Sequence, residues 1–350
     1  MADEQTTPEH RGGVGADEAP TADSGSGASV GRRKLGCALV SLALVVSVCV
    51  YAYQLFVSIY PDQGPEGDKV NAVADVASNY LSSDPSVTSA EATGAEANIN
   101  GSSVTVDAHL KDGTSVEAAA NLLASTRQKT LQEEPDYGGD FIISVSWTVK
   151  GSTIDVDVSC QRDPEAIRTD VKRALTPVGE AKVFTGSIDA YTELKIDYGE
   201  VTALPTSLTQ PSVPDSSKTF TMNGWKVTST PKTDGQFSTP PFDQLITATR
   251  QASPTGSIDL DGTTLSVTGL VTDENKGLTP EAAAPVVHTV NNCQSAGLTT
   301  LKLNNWALNT TSSVADPWLT FTCNNGTWTP DDDGSTGQDE AAILNKAAEL

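Results

Sequence analysis

The feature that most constrains this chain is a long run without charge near its N-terminus. No Asp, Glu, Lys or Arg occurs from Leu35 to Pro61, a run of 27 residues. As a helix it would be about 40 Å long, which exceeds the roughly 30 Å hydrocarbon core of a bilayer. Arg32, Arg33 and Lys34 precede the run, an arrangement typical of a helix whose N-terminus stays cytoplasmic. The run therefore predicts a transmembrane signal-anchor helix over 35–61.

Two alternatives to an uncleaved anchor involve cleavage or lipidation of this segment. A signal peptide would have a shorter apolar core and a clear small-residue cleavage site, neither of which the run offers. A lipoprotein would carry a small residue directly before its cysteine, whereas Val48 precedes Cys49 and Cys37 follows the basic cluster closely. The uncleaved anchor is favoured. We therefore expect a single-pass protein of the cell membrane, with a cytoplasmic N-terminus and an extracytoplasmic C-terminal region.

The charge of the chain is distributed unevenly on the two sides of this run. Residues 1–34 hold almost no large apolar side chain and cannot bury enough surface to offset their ordering entropy, so a disordered cytoplasmic tail is expected. Beyond the run the chain has 39 acidic and 18 basic residues, and this difference accounts for most of the net charge of −23. An acidic surface of this kind excludes a basic nucleic-acid binder.

The part expected outside the membrane contains an internal repeat. Residues 98–106 match residues 259–267 almost class for class, and each stretch turns at an Asx-Gly pair between alternating apolar residues, which is typical of a hairpin. A helical pattern and a second hairpin follow in both copies. The later matches are Trp147 with Trp306 and Cys160 with Cys323. The sequence thus predicts an α+β fold of two repeated α/β-sandwich modules, each a mostly antiparallel sheet with covering helices.

The module boundaries follow from composition. Module 1 is predicted over 68–202 and module 2 over 219–328. A stretch rich in Pro, Ser and Thr separates them and predicts a linker over 203–218. The last residues, 329–350, are expected to form an acidic tail with a short terminal helix.

Residues that could form a catalytic site are scarce. Two histidines, His109 and His288, lie beyond the N-terminal tail, and no G-x-S-x-G nucleophile elbow occurs. Paired aspartates alternate with apolar residues, which places each pair on the solvated face of a strand. The pairs are Asp155 with Asp157 and Asp259 with Asp261. We expect no catalytic site and no cofactor; the alternative is an envelope enzyme or enzyme regulator that acts on glycan or peptide through paired aspartates.

An acidic stretch near the C-terminus is the strongest metal candidate. Asp331, Asp333 and Glu340 fall at positions 3, 5 and 12 of a loop that resembles a calcium-binding EF-hand. Thr329 stands where the first carboxylate is required, and Pro330 follows it. A solvated acidic linker is therefore expected, with a calcium site as the weaker alternative.

Three cysteines lie beyond the uncharged run, an odd number for an oxidising compartment. Cys293 belongs to a predicted helix and Cys323 to a predicted strand that should pack against it. We predict a Cys293–Cys323 disulfide, which leaves Cys160 buried or available to another molecule. No C-x-x-C spacing occurs, which argues against redox or zinc chemistry.

Four of the five tryptophans lie after residue 218, where buried core side chains are expected and a glycan-stacking platform is the alternative. The features together lead to the hypothesis of a membrane-anchored, non-catalytic, acidic and duplicated region for binding or assembly. Its partner, a protein or another envelope component, is not identified by the sequence.

Overall fold

The computed structural model describes residues 30–189, 193–211, 216–273, 277–307, 318–331 and 338–350, with side chains described from Val45 onward except at Gln338. The chain divides into two compact units, residues 1–56 and 57–350. The helix α1, Val30–Ile59, begins in the first unit and ends in the second.

The predicted transmembrane helix at 35–61 is contradicted. No helix in the described parts of the chain combines the length and the apolar character needed to cross a bilayer. The side chains of α1 are described from Val45 to Ile59, a stretch shorter than the roughly 20 residues that a spanning helix needs. The single-pass assignment is therefore wrong for the described residues.

The basic cluster proposed as a topology signal lies within α1. Arg32, Arg33 and Lys34 belong to the first turns of this helix, which begins at Val30. The role of this cluster in topology stays a prediction.

The second unit contains one mixed sheet, and the thirteen strands found among the described residues follow one another across it in sequence order. The strands are β1 Val87–Asn98, β2 Gly101–Leu110, β3 Asp140–Val149, β4 Ser152–Ser159, β5 Val183–Ile188, β6 Leu194–Glu200, β7 Ser217–Met222, β8 Trp225–Thr230, β9 Gly256–Asp261, β10 Thr264–Thr268, β11 Thr300–Asn304, β12 Trp318–Asn324 and β13 Thr327–Pro330. The helices are α2 Pro65–Ser83, α3 Val116–Glu133, α4 Pro164–Ala174, α5 Phe242–Thr249, α6 Pro280–Thr289 and α7 Gln338–Ala347.

Antiparallel and parallel pairings alternate along the sheet from β1 to β12, and the last pair, β12 with β13, is antiparallel like the pair before it. Each hairpin, such as β1–β2 or β3–β4, is antiparallel. Successive hairpins join in parallel, as β2 does with β3 and β4 with β5. A parallel pair needs a crossover connection, and α3, α4, α5 and α6 provide four of them. The helices pack side by side, α2 with α3, α3 with α4, α5 with α6 and α6 with α7, as helices on one face of the sheet do.

The expected division into two sandwich modules is wrong. Strands β6 and β7 pair in parallel, with Lys195 opposite Ser217 and Asp197 opposite Thr219, so the sheet continues through the point where the modules were expected to separate. The segment predicted as a linker forms the β6–β7 crossover, and Ser207 and Leu208 in it are buried. The sequence comparison missed this continuity because strand pairing between neighbours leaves no local composition signal.

The repeated structural unit is smaller than the predicted module. It is one β-hairpin with one helix. The matched stretches 98–106 and 259–267 lie in the β1–β2 and β9–β10 hairpins, which are four hairpins apart in the sheet. The two matched stretches are therefore two members of a longer series of hairpins.

Local sequence signals explain where the crossover helices begin. Ser115 and Asp163 cap α3 and α4, each side-chain oxygen accepting a hydrogen bond from the backbone N–H three residues later. Thr279 does the same for α6, where Pro280 takes the first helical position. The β1–β2 and β9–β10 turns contain Gly101 and Gly262, both with positive φ.

The sheet has two chemically different faces because side chains alternate along each strand. On the helix-covered face, Ile143, Val145 and Val156 are buried in the core. On the opposite face, called here the open face, Asp155 and Asp157 are exposed. The core is thus a single layer between the sheet and its helices.

Candidate binding surface

The open face is built mainly from short hydroxyl and carboxylate side chains. They are exposed or half-exposed in nearly every strand. Because paired residues lie side by side, these side chains form rows that cross the sheet. One row runs through Thr153, Val183, Asp197, Thr219, Thr228, Asp259, Ser266, Lys302 and Thr320.

A second row consists of threonine alone and lies towards the C-terminal end of the sheet. Thr264, Thr300, Thr322 and Thr329 occupy paired positions on β10 to β13. Hydroxyl groups can donate and accept hydrogen bonds, and the short Thr side chain has little rotamer freedom to lose. This part of the open face can therefore form hydrogen bonds to a ligand at low entropic cost.

The other end of the open face is acidic. Strands β1 to β4 contain six carboxylates and no Lys or Arg. Glu91 pairs with Asp107, and Asp157 lies in the same row two strands further on. The remaining three are Glu96, Asp140 and Asp155. From β6 onward, Lys195, Lys226 and Lys302 are interspersed with aspartates.

Two hydrogen-bonded pairs cross this acidic end. His109 Nδ1 lies 2.5 Å from Ser146 Oγ, and Ser144 Oγ donates to Asp157 Oδ1 at 2.6 Å. Asp155 is paired directly with Ser146. A nucleophilic serine requires a substrate cavity as well as a base. This constellation lies on an exposed sheet surface, and its geometry favours contact with a partner over enclosure of a substrate.

A buried lysine lies on the helix-covered face, beneath the β6–β7 crossover. Lys218 is 1% exposed, and its Nζ donates to the backbone oxygens of Ser207, Leu208 and Gln210 at 2.7, 3.1 and 2.7 Å. The ammonium also lies 4.3 Å from the ring centroid of Phe237, within cation–π distance. Burial lowers the pKa of Lys218 to about 8, although nearby Glu180 acts in the opposite direction.

Glu180 holds the same crossover through its carboxylate. It accepts hydrogen bonds from the backbone N–H groups of Thr206 and Ser207, and from Ser207 Oγ at 2.5 Å. Burial acts to raise the pKa of Glu180, but these hydrogen bonds outweigh it and hold the pKa below its usual value. Tyr198 Oη lies 2.8 Å from Ser207 Oγ, and burial raises the pKa of Tyr198 to about 12. This network fixes the crossover and is structural.

The two cysteines of the predicted disulfide lie together. Cys293 follows α6 and is joined to Cys323 on β12, with 5.9 Å between their Cα atoms. Cys160 is free and fully buried after β4, and burial raises the pKa of its thiol well above the usual range. The disulfide thus ties the α6 end to the sheet.

The weak calcium candidate is only partly described. Asp331 is exposed directly after β13, while Glu340 is buried on α7. Asp333 lies outside the described residues. Among the residues described, no group of three or more His, Cys, Asp or Glu is arranged to hold a metal ion.

The paired aspartates do not line the surface cavities found between the helices and turns. Four such cavities have volumes of about 420, 490, 220 and 340 Å³, and neither pair contributes to their walls. His288 lines two of them, at the helices α5 to α7, and its Nδ1 lies 3.1 Å from the carbonyl oxygen of Ala347. The cavities therefore give no specific support to an enzyme that uses paired aspartates.

The tryptophans are largely part of the core. Trp225 is fully buried and donates from Nε1 to the Ser253 carbonyl, and Trp328 is 7% exposed and donates to the Val290 carbonyl. Trp318, on the open face of β12, is half-exposed. A row of exposed tryptophans that could stack on sugars is not formed by the described side chains.

The sequence reasoning missed Lys218 and Glu180. A signal for the first was present, because Lys218, Phe220 and Met222 alternate along one strand and the two apolar residues mark that face as buried. No local sequence pattern indicated the role of Glu180, because its hydrogen-bond partners lie 26 and 27 residues away in the chain.

The chain matches no protein family, no curated protein and no solved structure with which it was compared. Its function has to be inferred from the chemistry of its own surface.

Proposed function

We propose that this chain is a non-catalytic binding protein of an oxidising compartment outside the cytoplasm. The open face of its sheet is the surface that contacts the partner. The observation that carries the proposal is the chemical asymmetry of the sheet, in which one face is packed under helices and the other displays rows of hydroxyl and carboxylate groups.

The Cys293–Cys323 disulfide supports the choice of compartment. Structural disulfides persist in oxidising surroundings and are rare in the reducing cytosol. This one joins the segment after α6 to strand β12, with 5.9 Å between the Cα atoms.

The side chains of the open face support binding over catalysis. A broad, shallow surface with many short donors and acceptors can contact an extended partner at many points. A small-molecule site is usually lined largely by apolar side chains, whereas Thr228, Asp259 and Ser266 lie side by side on the open face.

Site-specific photo-crosslinking in the cells that produce the full chain tests the proposal. A photoreactive residue at Thr153 or at Lys226 lies on the exposed part of the open face, while one at Gln128 lies on the exposed side of α3. We expect a discrete adduct from both open-face positions and none from Gln128. Adducts from Gln128 alone, equal adducts from all three positions, or none from any would contradict the proposal.

A further inference from the structure

The outermost strand of the sheet leaves one backbone edge unpaired among the described strands. β1 is the first strand in the sheet order and pairs only with β2 there. It is 12 residues long and consists mainly of Ala, Thr, Ser, Gly and Glu. Ser82 Oγ donates to the Ala90 carbonyl at 3.3 Å near the middle of this strand. An edge of this length can accept an additional strand.

The opposite end of the sheet is less suited to strand addition. β13 has only 4 residues, Thr327–Pro330, and its last residue has no backbone N–H to donate. Helices contact both end strands, α2 at β1 and α7 at β13, so the difference between the ends lies in strand length and in Pro330. Of the two ends, β1 offers the longer ladder of hydrogen-bonding groups.

The charge beside the β1 edge indicates which strand would fit. Glu91 is paired with Asp107 and Glu96 with Ser103, and both glutamates are exposed on the open face. The acidic end of the open face, with the six carboxylates of β1 to β4, therefore begins at the edge itself. An added strand with Lys or Arg at alternate positions would direct those side chains over it.

A second copy of this chain would be a poor occupant of the edge. In an antiparallel β1–β1 pair that is symmetric about Thr93 and Gly94, Glu91 of each copy would stand opposite Glu96 of the other. Like charges directly opposite destabilise a strand pair.

We propose that the β1 edge binds an extended basic segment of a partner protein as an additional strand. Main-chain hydrogen bonds hold the segment, and alternate Lys or Arg side chains lie over Glu91, Glu96 and Asp107. This inference rests on the proposed function and adds to it the chemical class of the partner.

Peptide binding to the full chain tests this inference. The probe is a 12-residue peptide, matched to the length of β1, with Lys at alternate positions and Thr or Val between them. One control peptide replaces Lys by Gln, and a second keeps every Lys but carries N-methyl groups on alternate backbone nitrogens of the hydrogen-bonding edge. The readouts are the dissociation constant and the hydrogen exchange of the β1 amides.

We expect the Lys peptide to bind and to slow exchange at β1 amides, with affinity falling as salt rises. The Gln peptide and the N-methylated peptide are each expected to bind at least about tenfold more weakly. The variant E91Q/E96Q should bind the Lys peptide with an affinity about tenfold lower than that of the wild type. The control variant D243N/E281Q removes two exposed carboxylates from α5 and α6, and it should change this affinity by less than about twofold.

Three results would overturn the inference: no binding of the Lys peptide, equal binding of the N-methylated peptide, or binding without slower exchange at β1. The last two would show that the acidic end attracts cations without strand addition. If open-face crosslinks are found in cells while the Lys peptide fails, the proposed function stands and only the partner class is wrong. If the crosslinks fail as well, both are wrong.

Discussion

The ammonium of Lys218 lies 2.7 Å from the carbonyl oxygen of Ser207, across the interior of the β6–β7 crossover. The described part of this crossover forms no helix, and its own turn hydrogen bonds run from Leu208 N–H to the Pro205 carbonyl and from Gln210 N–H to the Ser207 carbonyl. A buried backbone oxygen without a partner is costly, and the lysine provides donors to three backbone oxygens of the crossover.

Replacement of Lys218 by Met should destabilise the protein at every pH tested. Removal of the ammonium takes one donor from each of three carbonyl oxygens, of which that of Ser207 keeps the N–H of Gln210. We expect the free energy of unfolding at pH 7 to fall by about 2 kcal/mol. The pKa of Lys218 is lowered to about 8 in the folded protein. From pH 8 to 10 the unfolded chain therefore holds a proton that the folded protein has released, so wild-type stability rises relative to Lys218→Met.

Denaturant unfolding at pH 7 and pH 10 measures this difference. Lys226→Met is the matched control, because Lys226 is exposed on the neighbouring strand β8. Its effect should stay within about 0.5 kcal/mol at both pH values. A difference between wild type and Lys218→Met that shrinks with rising pH would contradict the assigned role.

Replacement of Glu180 by Gln should weaken the same crossover in a different pH range. A Gln amide accepts hydrogen bonds through one oxygen only and turns an NH2 group towards the donors of Thr206 and Ser207. We therefore expect the free energy of unfolding at pH 7 to fall by about 1–3 kcal/mol. The lowered pKa of Glu180 means that its contribution is present above the unfolded pKa of about 4.3 and is lost as pH falls through the folded pKa. Stability curves of both proteins should converge on acidification; Glu281→Gln, an exposed change, should leave the curve unaltered.

Removal of the Cys293–Cys323 disulfide by double replacement with Ala should cost about 3–4 kcal/mol, because the cross-link closes a loop of 30 residues and restricts the unfolded chain. Thermal unfolding in the absence of reductant measures the loss. Wild-type protein treated with reductant should show the same shift. A double variant that unfolds at the wild-type temperature would show that the cross-link is not stabilising.

Cys160 should resist thiol reagents in the folded protein. Burial excludes the reagent and raises the pKa of the thiol, so the reactive thiolate is absent at neutral pH. After brief alkylation, mass mapping should show that the exposed Cys49 is modified and that Cys160 is not. In denaturant both should react. Rapid modification of Cys160 under native conditions would mean that its strand end opens readily.

Gly256→Ala should destabilise the sheet at the start of β9. A Cβ at this position would overlap the Trp225 ring and the carbonyl oxygen of Thr268. Overpacking of this kind typically costs about 1–3 kcal/mol. Gly138→Ala, where nothing lies within 4 Å of the added carbon, is the control and should change stability by less than about 0.5 kcal/mol.

The elements of the fold were more predictable than their arrangement. Asx-Gly turns marked the β1–β2 and β9–β10 hairpins, and Asp163 with Pro164 marked the start of α4, because these signals are local. The pairing of β6 with β7 carries no such signal, so the chain was divided where the sheet is continuous. The uncharged run was predicted to span a bilayer, whereas no helix among the described residues is long and apolar enough to do so.

The surface was predictable only in part. Alternation placed Asp155 and Asp157 on the solvated side of β4, as the structure has them. The acidic row from Glu91 through Asp107 to Asp157 could not be foreseen, because it depends on the registers of three successive strand pairs, and α3 separates β2 from β3 in the sequence.

The order of the strands has a consequence for how the chain folds. Since each hairpin pairs only with the hairpins before and after it in sequence, most strand contacts join segments that leave the ribosome close together in time. Local pairing of this kind shortens the loops that must close and favours rapid folding. The sheet can grow from β1 while later hairpins are still being synthesised, and deletion of the last hairpin would shorten the array without removing the pairing partners of the first.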